Sequence, residues 1–388
     1  MTPPTFLLPE PVAVEGLGFT TADATWCGEP LLDRQRAEVL RAGLVLGDSD
    51  DVVTLSPGSI ATAAALRAFV VATDAEPSAR LGVLADPVGA WADHAAFGAP
   101  ARMIRWRGRD RSPDRLVGIS PIAVPVTGTK ALEVRLADVP GGRAESLPHA
   151  PALLVPVGGW AGLLWANLLT LPDALETGLR EPAWSLGARA LAAWWRGGSG
   201  EGFLARFNRV DEGAFVHPDA SVTASWIKKG ARVGPGAVVS YSIIGEGASV
   251  EAGALAQYCV LAPRAHVQRR GFAQYAVVST DAAVAGTVQL AVLGPGSAVK
   301  RGATLLDQTL DGAPVRVLLG GQLHPVPLGS IGVGVGARTV VGHSVVVMPG
   351  RSLPADLRIA AGPGNLLVRV PEGASGLQLV HDGTLVPR

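Results

Sequence analysis

The chain has 388 residues, 48% of them hydrophobic, with 49 Gly and 30 Pro; it can bury a core, is not a disordered segment, and must make many tight turns. Lys plus Arg balance Asp plus Glu at 33 each, which gives no reason to expect nucleic acid or an anionic membrane as partner. Cys27 and Cys259 suggest neither a disulfide framework nor a zinc site, and the opening MTPPTFLLPEPVAVEG lacks the basic start and long apolar run of a signal peptide. No stretch reaches the length of a membrane span, so a cytoplasmic location is expected.

In chain order, PLLDRQRAEVLRAGL, from Pro30 to Leu44, reads as an amphipathic helix stopped by Gly43. LVLGDSDDVVTLSPGS comes next as strand, turn and strand, and SIATAAALRAFVVAT as an Ala-rich helix from Ser59. Asp48, Asp50 and Asp51 in the turn are candidates to hold Mg²⁺, or form a solvated turn, since Asp and Ser favour such positions. RLGVLADP and ISPIAVPVT read as strands. Between them, RMIRWRGRDRSPDR carries Arg102, Arg105, Arg107, Arg109, Arg111 and Arg115 around Trp106. Such a run can grip phosphates, or form an edge strand with one charged face. ALLVPVGGWAGLLWANLLTLPDALE is a strand, a break at Gly158 and Gly159, and a buried helix. PAWSLGARALAAWWRGG is a further helix, expected to dock on the C-terminal half of the chain. Alternating strands and helices predict an α/β domain over residues 1–209.

From there the sequence changes to a fixed period. Steps of 17 align Val216, Val233, Val250, Val267 and Val284. The same step aligns Ile227, Ile244, Leu261 and Val278, then Val222, Val239, Ala256 and Ala273, and then Tyr241, Tyr258 and Tyr275. Three short strands per unit, each with one small inward aliphatic, describe a triangular coil. Its inner residues must be small because three walls converge on one axis, and its corners need Gly or small polar residues. The pattern breaks between Val284 and Val299, then returns with Val335, Val341, Val347, Leu353 and Ile359 spaced by six. From residue 300 to 330 the step is lost, and two extended runs around an Asp311–Gly312 turn suggest an excursion from the coil. Loops of this kind often carry function, which makes Arg316, Gln322 and His324 site candidates. His217, His266 and His343 fall at outward positions of the coil. The tyrosines are expected to stack in a ladder.

This spacing resembles the hexapeptide-repeat left-handed parallel β-helix, over residues 210–370, with 371–388 as a C-terminal tail. An α/β domain before such a helix is similar to the sugar-nucleotide pyrophosphorylases, a nucleotidyltransferase family. GEPLLDRQRAEVLRAGL resembles the helix after their nucleotide-binding loop. GWAGLLWANLLTL resembles their late segment, with Trp160, Ala166 and Asn167 matching. The resemblance implies a nucleotide sugar or sugar phosphate as ligand and carboxylate-held Mg²⁺ for turnover. The chain departs from the family where charge is handled. Gly16 and Gly18 are followed by no Arg, no Lys precedes Lys130, and Gly162 stands where the metal-binding Asp should be.

The expectation is therefore a catalytically degenerate pyrophosphorylase-like protein, a nucleotide-sugar binder, scaffold or regulatory subunit, with Arg105, Arg107, Arg109, Trp160, Asn167, Arg316 and Gln322 as ligand contacts. The alternative is a hexapeptide-repeat acyltransferase using acyl-CoA, with His266, His324 or His343 as general base. A third is an assembly protein built on the coil. The flat coil faces fit a homo-oligomer, plausibly a trimer.

Overall fold

A computed structural model describes residues 4–75, 81–83, 101–108, 111, 122–123, 132–135, 144–147, 152–179, 208–309, 311–319, 321–326 and 329–388. From Arg209 onward the chain returns every 17 residues to pair with itself in parallel: Val216 with Val233, Val233 with Val250, Val250 with Val267, Val267 with Val284. Among the described residues this builds three walls, of 8, 10 and 8 strands. The first wall holds Ile227, Ile244, Leu261 and Val278 in one column, and the third holds Val222, Val239, Ala256 and Ala273. The inward residues are Val, Ala, Ile, Leu and one Cys, nearly all fully buried in a single core. Each buried aliphatic contributes about 1.5–3 kcal/mol, and the stack repeats that gain coil after coil.

The corners turn by left-handed backbone. Gly236, Gly247 and Gly253 take it at φ near 65°. Arg264, Arg270 and Asp281 take it at corners with a side chain, at a cost near 1 kcal/mol each. The third corner of successive coils is Ala224, Tyr241, Tyr258, Tyr275 and Leu290, all at φ of 45–51°. That shared conformation aligns the tyrosine rings, which stack at 5.0 and 4.8 Å.

The break after Val284 is a shortened coil. Val284 pairs with Val299, and Ala273 with Val288, 15 residues on. Ala285 and Gly286 replace the four-residue corner 268–271, and the walls continue unbroken.

The excursion leaves the third wall after Thr304–Leu305 and rejoins the first at Gly334–Val335. It contains an antiparallel hairpin in which Arg316 pairs with Pro325 and Leu319 with Gln322. The two extended runs thus fold between Leu319 and Gln322, where Gly321 has φ 73°, rather than at Asp311–Gly312. There the Ala313 N–H donates to Asp311 Oδ1 at 3.1 Å, closing a separate turn. Alternation explains the choice, because Val315, Val317 and Leu319 are buried and hold the strand down. Beyond residue 370, Gly376–His381 and Thr384–Pro387 add two further strands to the second wall.

The N-terminal part is a mixed sheet rather than a parallel α/β layer. Thr5–Leu7 runs parallel to Val45–Leu46 and Asp51–Leu55, while Met103–Arg107 lies antiparallel to Asp51–Leu55 and Leu81–Val83. Helices α1 (Leu31–Arg41), α2 (Ala63–Ala75) and α3 (Trp160–Leu179) accompany it. The Ala-rich helix starts later than its composition suggests. Gln35 clamps both the N–H and the carbonyl of Ala61, and Ser59–Ala61 pairs as a strand with Leu154–Pro156. This arrangement of mixed sheets with few helices does not reproduce the nucleotidyltransferase-like organisation expected. The expected helix from Pro182 lies outside the described residues.

α3 covers the first wall. Outward residues there are Ile243, Val260, Val277 and Val292, all fully buried against Trp160, Leu163, Leu164 and the loop residues Leu17 and Phe19. Glycines allow the closest approaches. A Cβ on Gly334 would sit 2.5 Å from the Trp160 indole, and one on Gly178 would strike the Trp226 indole. Trp160 begins α3 and Gly178 nearly ends it, so the helix runs along the coil axis. Twenty residues span about 30 Å, and the rows from Trp226 to Gly334 span about 24 Å at strand spacing. Among the described residues no helix is long and apolar enough to cross a membrane.

Candidate functional site

The second wall is the one that carries an outward histidine. Its outward column reads Phe215, Arg232, Ser249, His266, Ala283, Ala298, Val340 and Arg358, all at least partly exposed. Coil register places Ser249 directly beside His266, and Ser249 Oγ lies 2.8 Å from His266 Nδ1. With the Nδ1 proton donated to Ser249, the Nε2 lone pair is left to accept a proton. The adjacent corner carries Arg264, which grips Asp281 of the next coil through two hydrogen bonds of 2.7 and 2.8 Å. Those hydrogen bonds hold the Asp281 carboxyl below the usual carboxylate range, with burial opposing and the Arg264 and His266 charges assisting. A hydroxyl, an imidazole and a fixed ion pair therefore share one stretch of open coil surface.

The other candidate histidines are elsewhere. His343 lies near the second wall, three coils further along, about 14 Å at strand spacing, and its Nδ1–H donates to the Arg301 carbonyl at 3.2 Å. His324 stands opposite Val317 in the hairpin, flanked by exposed Gln322, with Arg316 exposed on the partner strand. His217 accepts the Asp219 N–H at 3.1 Å. These residues do not gather into one site with His266.

On the third wall, Gln257, Gln274 and Gln289 form an amide ladder, with links of 2.9 and 2.8 Å. Ser225 and Ser242 form another at the following corner, each hydroxyl accepting an N–H from the next coil. Cys259 continues that column, and burial pushes its thiol up to about 12. Cys27 is raised by burial as well. Neither is a nucleophile under ordinary conditions.

In the N-terminal part, the basic run and the acidic turn meet each other. Arg105 is 3% exposed. It binds Asp51 through two nitrogens at 2.7 and 2.6 Å, Asp74 at 2.6 Å and Thr73 Oγ1 at 2.8 Å. The Arg105 hydrogen bond, against the effect of burial and with the Arg105 and Arg107 charges assisting, holds the Asp51 carboxyl below its usual range. Arg107 donates to the Thr73 carbonyl at 2.8 Å. Arg111 pairs with Asp48 and donates to the Ser49 carbonyl. Asp50 is exposed; Arg109 and Arg115 lie outside the described residues. Among the described residues no group of three or more His, Cys, Asp or Glu is arranged to hold a metal, and Asp48 and Asp51 each face a guanidinium.

The late-segment residues are internal. Trp160 is fully buried, with Nε1 donating to Ser352 Oγ at 3.0 Å. Asn167 accepts the Cys27 N–H at 2.8 Å and donates to the Thr25 and Leu163 carbonyls. Its amide ties α3 to the loop before α1. At Gly162 any Cβ would collide with the Pro156 carbonyl, so an Asp has no room there.

Two pairings are not evident from the sequence although both obey its period. Ser249 precedes His266 by one coil, and Arg264 precedes Asp281 by one coil. The register of the columns already pairs them.

No protein-family model matches the sequence, and no curated protein matches it. Solved structures do. The acetyltransferase domain of PglB from Neisseria gonorrhoeae, in complex with acetyl coenzyme A, is 17% identical, with 38% of this chain and 57% of that one covered, at TM-score 0.20. A hexapeptide transferase family protein from Anaplasma phagocytophilum is 10% identical over 46% of this chain and 78% of its own, at TM-score 0.22. The UDP-N-acetylglucosamine O-acyltransferase LpxA from Moraxella catarrhalis is 12% identical over 45% and 69%, at TM-score 0.17. The chain thus spans 57% of the length of the Neisseria structure. At these TM-scores the likeness has no bearing on activity.

Proposed function

We propose that the protein is an acyltransferase that takes its acyl group from acyl-CoA, with His266 as general base. The observation that carries this reading is the Ser249–His266 hydrogen bond of 2.8 Å on the open second wall. It engages Nδ1 and leaves Nε2 to take the proton from an incoming hydroxyl or amine. In that step the acceptor's oxygen or nitrogen attacks the thioester carbonyl while Nε2 removes its proton. The carbon–sulfur bond breaks, and the proton passes to the departing CoA thiolate. Ser249 positions the ring, and the Arg264–Asp281 pair fixes the charge beside it. Neighbouring copies packed wall to wall as a trimer would turn the open wall into a cleft long enough for CoA.

The nucleotide-sugar reading has less support. Arg105 is committed to Asp51 and Asp74, Asn167 is satisfied within the core, and Gly162 leaves no space for a metal-binding Asp.

The test is CoA thiol release from acetyl-CoA with a panel of amine and hydroxyl acceptors. Loss of the base should lower the rate by about 10²–10⁴-fold in His266→Ala. Ser249→Ala should lower the rate less and alter its pH profile. Equal rates in wild type and His266→Ala would overturn the assignment.

A further inference from the structure

Away from the coil wall that carries His266, helices α1, α2 and α3 enclose a cleft of about 220 Å³. Its lining includes Arg34, Arg41, Arg67, Glu38, Asp173 and Trp26. Arg34 is the unusual member. Its side chain is 8% exposed, and its guanidinium lies 5.8 Å from the centre of the Trp26 ring. One nitrogen reaches Glu38 Oε1 at 2.9 Å, yet its Nε is buried with no hydrogen-bond partner. A buried charged donor left unmade is costly. Glu38 cannot supply what is missing, because the same Oε1 also receives Arg41 at 2.8 Å and Oε2 accepts the Ala63 N–H at 2.8 Å. One carboxylate therefore serves two guanidiniums and a backbone donor.

Two further features add positive potential. Arg67, exposed at the mouth, donates one nitrogen to the Arg41 carbonyl at 2.7 Å. Ala63 and Ala64, which also line the cleft, open the 13-residue helix α2, whose first N–H is taken by Glu38 while the positive end of the helix faces the same space. Three guanidiniums against the carboxylates Glu38 and Asp173 leave the lining net positive, and donors from three side chains match the several oxygens of a tetrahedral oxyanion. The volume exceeds that of a lone ion and leaves room for a few more heavy atoms.

We propose that this cleft binds the phosphate group of a small phosphomonoester, with Arg34 at its base and Arg41 and Arg67 at its mouth. The site is independent of acyl transfer, since none of its residues lies on the coil.

The test is calorimetric titration of the full chain with inorganic phosphate and, separately, with succinate. Phosphate should bind wild type more tightly than succinate does. Arg67→Gln, at an exposed position, should weaken phosphate binding about tenfold while leaving the circular dichroism unchanged. Arg34→Lys keeps the charge and loses the fork, and should weaken it as well. The proposal fails if phosphate does not bind, if succinate binds as tightly, or if phosphate binds folded Arg67→Gln as well as it binds wild type.

Discussion

At the scale of single residues, the chain places its charges in pairs that the sequence keeps far apart. Arg105 is nearly buried while its partners Asp51 and Asp74 remain half in water. Replacing Arg105 by Gln should destabilise the N-terminal part by roughly 2–3 kcal/mol, at the low end for a buried pair because both carboxylates are solvated. The pH dependence comes from Asp51, whose carboxyl is held below its usual range chiefly by the Arg105 hydrogen bond. A depressed carboxylate stabilises the fold above its unfolded pKa, near 4, and that contribution disappears as pH falls through the folded value. Denaturant unfolding of wild type and Arg105→Gln should show a full gap at neutral pH that narrows below about pH 4. A gap that widens in acid would contradict the assignment. The basic run and the acidic turn are each legible as charged clusters in the sequence. Their pairing is not, because Asp51 and Arg105 meet only when two strands 54 residues apart align.

At the scale of elements, the coil is the most legible part of the chain. Its inner columns are small because the walls leave no more space, so the constraint writes itself into every seventeenth position. The docking of α3 leaves an equally plain mark that composition alone obscures. On the second wall the doublets Arg232–Val233, Ser249–Val250 and His266–Val267 set a polar residue beside an apolar one, whereas the first wall reads Ile243–Ile244, Val260–Leu261, Val277–Val278 and Val292–Leu293. An outward column of aliphatics must be covered, and α3 covers it. Gly334→Val tests that contact, because the added side chain meets the Trp160 indole at 2.5 Å from its Cβ. Overpacking of this kind costs about 1–3 kcal/mol. Limited proteolysis should show earlier cleavage within the N-terminal part while the coil stays resistant. Unchanged cleavage would mean that the helix is not held by this packing. The N-terminal sheet is less legible, since its short strands carry no period and its order depends on contacts between distant segments.

At the scale of the whole molecule, one wall of the solenoid is sealed by a helix and two keep outward residues at least partly exposed, one of them linked by an amide ladder and the other carrying His266 beside Ser249. The columns are readable from spacing, while Ser249 and Arg264 become meaningful only once neighbouring coils are set side by side. On the proposed acyl transfer, the wall with His266 is where a thioester would have to lie. The most direct measurement is calorimetric titration of acetyl-CoA into wild type and His266→Ala, with the oligomeric state determined in the same buffer. The account predicts saturable binding of one acetyl-CoA per chain on an oligomer, retained in His266→Ala because the base acts on the acceptor rather than holding the donor. Absence of acetyl-CoA binding at millimolar concentration would contradict it.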